Sequence, residues 1–115
     1  MVITKAKELC SYIITITEKS PKKFRFSFVS KLHNGCINIL ENLIKANITS
    51  KKTHPDERRH YQLEAYTQMK MVSYFAFLSL ENECILKKQF EHISLLSSDC
   101  INLLFAWRKS DGEKL

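Results

Sequence analysis

Lysine and arginine side chains, which suit the binding of phosphate and other anions, concentrate in one window of this 115-residue chain. Between Lys19 and Arg59 there are ten basic and three acidic residues, a net charge of +7, whereas the rest of the chain carries −1. A local cationic surface on an otherwise balanced chain indicates polyanion binding, and its alternative is a solvated face with no ligand. The candidate phosphate contacts are Lys22, Lys23, Arg25, Lys31, Lys51, Lys52, Arg58 and Arg59.

The sequence offers no comparable set of residues for catalysis or for metal binding. Di-metal carboxylate bundles need a Glu-x-x-His pair on each of two helices, and this chain has one such pair, Glu57 with His60. His33 and Cys36 share a helix face, but no second ligand pair accompanies them. No histidine follows an arginine at the four-to-six-residue spacing of helical RNA-cleaving domains, and two glycines are too few for a nucleotide-binding loop. We therefore expect no enzymatic activity, no metal and no cofactor.

The composition predicts a single helical domain. Hydrophobic residues make up 44% of the chain, enough for a core, while two Gly and two Pro leave too few turns for a sandwich or barrel. We expect one domain over residues 1–110 and a frayed tail over 111–115.

The cysteines and the apolar segments predict a cytoplasmic protein that does not enter a membrane. The cysteines are far apart in sequence and form no Cys-x-x-Cys pair, which favours buried, reduced thiols. No apolar run approaches the ~18 residues of a membrane span, and the first residues do not resemble a secretory leader.

Hydrophobic periodicity predicts four helices, over about 4–18, 21–47, 55–82 and 86–109, in an antiparallel up-down-up-down bundle. Ser20 is the expected N-cap of the second helix, with Pro21 in its first turn. The apolar stripe of that helix runs back as far as Arg25, and Gly35 should allow a neighbouring helix to approach closely. In this arrangement the basic residues before and after the second helix lie at its opposite ends.

The third helix carries a second apolar stripe that points away from the first. It consists of Met71, Phe75 and Leu78. Two apolar faces on one helix predict two buried surfaces, and self-association is the simplest explanation for the second. These three residues are therefore the candidate oligomer interface.

Several segments, taken in order, resemble the four-helix-bundle accessory variability proteins of bacterial diversity-generating retroelements. That family is related to small bundle proteins encoded in intervening sequences of ribosomal RNA genes. Two departures concern Ser20, where the family usually has Phe, and Phe105 with Ala106, where it often has a Gly pair. The matching segments are residues 20–26 (SPKKFRF), 39–47 (ILENLIKAN), 50–52 (SKK), 63–65 (LEA), 93–94 (IS) and 106–110 (AWRKS).

The resemblance implies a homo-oligomer, a pentamer in the family, that binds RNA and DNA with little sequence preference. It also implies association with a retroelement reverse transcriptase and support of mutagenic cDNA synthesis, without catalytic activity in the accessory protein itself. Two alternatives stay open at this point. One is a protein-interaction bundle of the intervening-sequence type with no nucleic-acid role, and the other is a small metal-dependent or RNA-cleaving enzyme.

Overall fold

The computed structural model describes residues 1–112, and these form four α-helices with no strand. The helices are α1 (Val2–Thr17), α2 (Ser30–Ile48), α3 (Pro55–Glu81) and α4 (Lys87–Ser110). The all-α prediction is confirmed, and α1, α3 and α4 begin and end within about two residues of their predicted bounds. The last three residues of the predicted tail lie outside the described residues.

One core runs between the four helices because each has an apolar stripe at helical spacing. Helix α2 packs mainly against α3, α1 contacts α2 and α4, and α3 contacts α4. The largest fully buried apolar side chains are Leu9, Ile13, Leu32, Ile39, Leu43, Met69, Ile93 and Leu104.

Gly35 sets the distance between α2 and α3. A Cβ atom at this position would lie only 2.4 Å from Cγ2 of Val72, closer than any ordinary packing contact. A residue without a side chain therefore lets the backbone of α2 approach the side chains of α3, as the sequence predicted. The gain in packing offsets the roughly 1 kcal/mol of helix propensity that glycine loses relative to alanine.

The start of the predicted second helix is irregular. A 3₁₀ turn at Lys22–Phe24 leads into a π-helical turn at Arg25–Val29, and α2 proper begins at Ser30. A π-helical turn takes more residues than an α-helical one, so the residues in it and before it no longer follow the 3.6-residue spacing of the α2 stripe. As a result Phe24 and Phe28 pack at the core edge with ring centroids 5.6 Å apart, and Arg25 is exposed. The prediction that Arg25 continues the inner stripe is wrong for this reason.

The α1–α2 connection touches the α3–α4 connection. The Ser20 hydroxyl donates to the Cys84 carbonyl at 2.8 Å, so the predicted N-cap role of Ser20 is wrong. Next to this contact, Glu83 has a φ of 61°, in the left-handed region. The turn closes with a bond from the Cys84 N–H to the Ser79 carbonyl, and α4 then begins with the Leu86 N–H donating to the Gln89 side chain.

Candidate functional site

The strongest cluster of accessible cations lies between α1 and α2. It consists of Lys22, Lys23 and Arg25, here called the basic turn, and all three side chains are exposed. Within residues 1–112 none of the three forms an ion pair, although the Lys23 ammonium lies 5.0 Å from the ring centre of Phe24. Their charges are therefore available to an external anion.

An open groove of about 780 Å³ runs beside the basic turn. Lys22, Arg25 and Phe26 line it together with the acidic Glu18, and Thr17 and His33 contribute polar groups. A ring nitrogen of His33 lies 2.7 Å from the Thr17 hydroxyl, which links α2 to the end of α1. This hydrogen bond accounts for His33, which the sequence placed at the core edge and not in a metal site.

A second cationic cluster lies in the loop between α2 and α3. It consists of Lys51 and Lys52, here called the loop cluster, and both side chains are exposed. The Ser50 hydroxyl accepts the backbone N–H groups of Lys52 and Thr53, which closes the turn that presents the two lysines. The loop cluster therefore has a defined backbone and open side chains.

Arg58 does not belong with the accessible cations. Its guanidinium donates to both carboxylate oxygens of Asp111, at 2.7 Å from Nε and 3.1 Å from Nη2. Nη1 donates to the Thr49 carbonyl at 3.1 Å, and the guanidinium stacks over Trp107 at 5.0 Å. The side chain is only 15% exposed. The prediction that Arg58 contacts phosphate is corrected: its charge is neutralised inside the protein, where it joins the ends of three helices.

The carboxylate of Asp111 is held by this arrangement. Burial alone would raise its pKa, but hydrogen bonds from Arg58 and Gln62, together with the Arg58 charge, outweigh burial and leave the pKa below its usual value. The Gln62 amide donates to the carboxylate at 3.0 Å. The first residue of the predicted frayed tail is thus anchored to the bundle.

The remaining predicted contacts are spread over the surface. Lys31 is exposed on α2, and Arg59 forms an exposed ion pair with Asp56 at 3.1 Å. The 19 residues of α2 lie between the basic turn and the loop cluster, and at ~1.5 Å per residue they span about 28 Å. This exceeds a Debye length of about 10 Å at 0.1 M salt, so the two clusters act as separate sites for small anions.

The predicted oligomer interface is only partly accessible. Met71 is 44% exposed, whereas Phe75 and Leu78 are half-buried and Phe75 packs against the core. Two other aromatic side chains of α3, Tyr74 and Phe77, are exposed instead. The surface that α3 offers to a partner therefore includes Met71 and these two aromatics, with Phe75 contributing mainly to the fold.

The four cysteines are buried and free, as expected. Burial raises the pKa of the Cys100 thiol to about 12, and a hydrogen bond with Cys10 together with burial raises the pKa of Cys36. Both thiols are consequently neutral near pH 7 and are poor nucleophiles. Within residues 1–112 no group of three or more His, Cys, Asp or Glu side chains is arranged to hold a metal ion.

Two residues of this site were missed by the sequence analysis. Phe26 lies among the cations of the 20–26 segment, and aromatic residues interleaved with Lys and Arg are the pattern that could have indicated it. Asp111 gave no local signal, because its partner Arg58 lies 53 residues away in sequence.

The described fold defines the protein as a four-helix bundle. It is similar to a crystal structure of a protein with unknown function from the S23 ribosomal protein family of Bacteroides thetaiotaomicron, with a TM-score of 0.80 and 18% sequence identity. The similarity covers 92% of this chain and 96% of that one, and at this identity it establishes the fold alone. No family model and no curated protein matches the sequence. Among the described helices none is long and apolar enough to cross a membrane.

Proposed function

We propose that this protein is a non-catalytic nucleic-acid-binding bundle, with its helices in up-down-up-down order, that binds RNA or DNA with little sequence preference. The observation that carries the proposal is the basic turn: three exposed cations beside an open groove, none of them in an ion pair within the described part of the chain. Exposed Lys and Arg side chains contact phosphates in any sequence, which gives affinity without base recognition.

The salt dependence of binding tests this proposal. Replacing Lys22, Lys23 and Arg25 together by alanine should lower the slope of log K against log salt by about 2 to 3, at ~0.7–0.9 for each lost phosphate contact. The affinity at 0.1 M salt should fall about 100-fold. A matched control replaces three exposed lysines outside the basic window, Lys7, Lys70 and Lys109, with the same change in net charge. Equal slopes for the two triple variants would contradict the assignment to the basic turn.

A more specific part of the proposal concerns the protein partner. The resemblance to accessory variability proteins supports association with a retroelement reverse transcriptase, to which this bundle would bring template RNA during mutagenic cDNA synthesis. A reverse-transcriptase gene beside this one, and co-purification of the two proteins, are the expected observations. Co-purification that survives nuclease treatment would separate a protein contact from tethering through RNA.

Self-association, as a pentamer by resemblance, is proposed through the exposed side chains of α3. Met71→Glu should lower the native mass measured by light scattering, because a carboxylate would then be buried at the subunit contact. Lys70→Glu is the neighbouring control on the same helix. Phe75→Glu is unsuitable, since Phe75 packs against the core of its own bundle. A native protein that is already monomeric would contradict this part of the proposal.

The second candidate function is a protein-interaction bundle with no nucleic-acid role. The exposed Tyr74 and Phe77 on α3 favour it, because exposed aromatic side chains are typical of protein interfaces. Absence of RNA and DNA binding at about 50 mM salt, where phosphate contacts are strong, would select this alternative.

A further inference from the structure

Phe26 is the most exposed large hydrophobic side chain of residues 1–112, with 90% of its surface open to solvent. Its two aromatic neighbours in the segment, Phe24 and Phe28, pack at the core edge. The chain therefore partly buries the first and third phenylalanines and leaves the second in water. A single exposed apolar side chain is ordinary on a protein surface, but this one also lines the groove beside the basic turn.

The backbone holds Phe26 in this position. It is the second residue of the π-helical turn Arg25–Val29, and π-helical turns within helices are frequent at functional sites. The packing of Phe24 and Phe28 fixes the turn on both sides of it. Because the backbone is fixed, only the side-chain rotations of the ring remain to be restricted when a ligand covers it.

The surroundings of Phe26 select the chemistry of that ligand. Lys22 and Arg25 line the same groove and supply two positive charges against the one negative charge of Glu18, while Pro21 and Val29 supply apolar contacts. An exposed aromatic ring flanked by cations is the arrangement with which proteins bind single strands, whose bases stack on the ring while phosphates contact the cations. Bases within a duplex have both faces covered by their neighbours in the stack and cannot use such a ring.

We propose that this groove is a single-stranded nucleic-acid site, in which an unpaired base stacks on Phe26 and the adjacent phosphates contact Lys22 and Arg25. The inference rests on the proposed function and adds to it the strandedness of the ligand and the residue that recognises it. Phosphate contacts alone would hold single strands and duplexes alike.

The test compares Phe26→Ala with Phe26→Trp in the full-length protein. The probes are fluorescein-labelled oligo(dT) of about 20 nucleotides and a duplex of the same length, each titrated across a salt series. Phe26→Ala should weaken oligo(dT) binding about 5- to 150-fold with an unchanged salt slope, because a stacking contact carries no charge. It should leave duplex binding unchanged. Phe26→Trp should retain oligo(dT) affinity, and its added indole fluorescence, measured against the single native tryptophan, should be quenched on binding.

Each other result overturns the inference in a distinguishable way. If Phe26→Ala binds oligo(dT) normally while the basic-turn triple variant loses salt slope, the proposed function stands and the stacking site is wrong. Equal losses on oligo(dT) and duplex would contradict single-strand selection. A lower native mass of Phe26→Ala would assign the ring to contact with a second copy of the chain. If the native protein binds neither probe, the inference fails together with the proposed function.

Discussion

Replacing Arg58 by alanine is expected to destabilise the fold while leaving the salt dependence of nucleic-acid binding unchanged. The substitution removes two hydrogen bonds to the Asp111 carboxylate, one to the Thr49 carbonyl and the stacking contact with Trp107. These contacts join the end of α2, the start of α3 and the end of α4. The residue therefore acts on stability, although its type and its place in the basic window predicted a phosphate contact.

The size of the effect follows from how buried the two charges are. Removing one partner of a fully buried ion pair lowers the free energy of unfolding by about 3–5 kcal/mol, because the other charge stays buried without a partner. Here the side chains of Arg58 and Asp111 are 15% and 9% exposed, so water can reach the remaining carboxylate. We expect a loss of about 2–4 kcal/mol, a large share of a typical total of about 5–15 kcal/mol.

Urea denaturation of Arg58→Ala, Asp111→Ala and the double variant measures this loss. The double variant should be more stable than the sum of the single losses predicts, by about 1–3 kcal/mol, because each single change already breaks the pair. Lys52→Ala is the control, since an exposed lysine of the neighbouring loop should change stability by less than about 0.5 kcal/mol.

The binding assay then separates the two interpretations of Arg58. Because Asp111 already neutralises it, Arg58→Ala should keep the native salt slope under conditions where the variant is folded. The double change Lys51→Ala with Lys52→Ala should lower the slope by about 1.4 to 1.8. An Arg58→Ala protein with native stability and a slope reduced by about 0.7–0.9 would refute the structural role and restore the phosphate contact.

Three further predictions concern the backbone and pH. Gly35→Ala should lower the free energy of unfolding, measured by urea denaturation, by up to about 2 kcal/mol. This figure is the overpacking penalty minus the gain in helix propensity. Asn34→Ala, on the exposed side of α2, is the control and should be neutral or slightly stabilising. Glu83→Gly should stabilise the protein by about 0.5–1 kcal/mol, because φ is 61° there, whereas Glu91→Gly at an exposed position inside α4 should cost about 1 kcal/mol. Since the pKa of Asp111 is lowered on folding, its contribution is complete above the unfolded value of about 3.9 and is lost as pH falls through the folded value. Acid unfolding of Asp111→Asn should therefore depend less steeply on pH below about 4 than that of the native protein, and equal steepness would contradict the assigned pKa shift.

Most of the helical structure could be predicted from local pattern. The bounds of α1, α3 and α4 follow from apolar residues at a spacing of three and four, and α3 also begins with Pro55 followed by two acids, as the prediction required. Gly35 was recognisable because a glycine inside a helix needs a packing reason. These features depend on residues that are close together in the sequence, so they can be predicted from one sequence.

The parts that could not be predicted depend on contacts between distant residues or on an altered helix period. The π-helical turn at Arg25–Val29 shifts its own residues out of register with the α2 stripe, and a prediction at 3.6 residues per turn therefore placed Arg25 on the inner face. In the sequence Arg58 does not differ from the other cations of the basic window, and only its contact with Asp111 in the folded protein distinguishes it. Charge locates a candidate surface, but only packing shows which charges are already neutralised.

The length of α2 has a consequence for the size of the ligand. The 19 residues of α2, which lie between the basic turn and the loop cluster, span about 28 Å, a length that a stacked strand rising ~3.4 Å per nucleotide covers in about eight nucleotides. A shorter oligonucleotide can occupy one cluster only. A longer one that follows α2 meets the second cluster at a high effective concentration after binding the first, so the two contacts reinforce each other by avidity. Affinity should then rise steeply as the oligonucleotide passes this length and more slowly beyond it, and the number of turns in α2 sets where that change occurs.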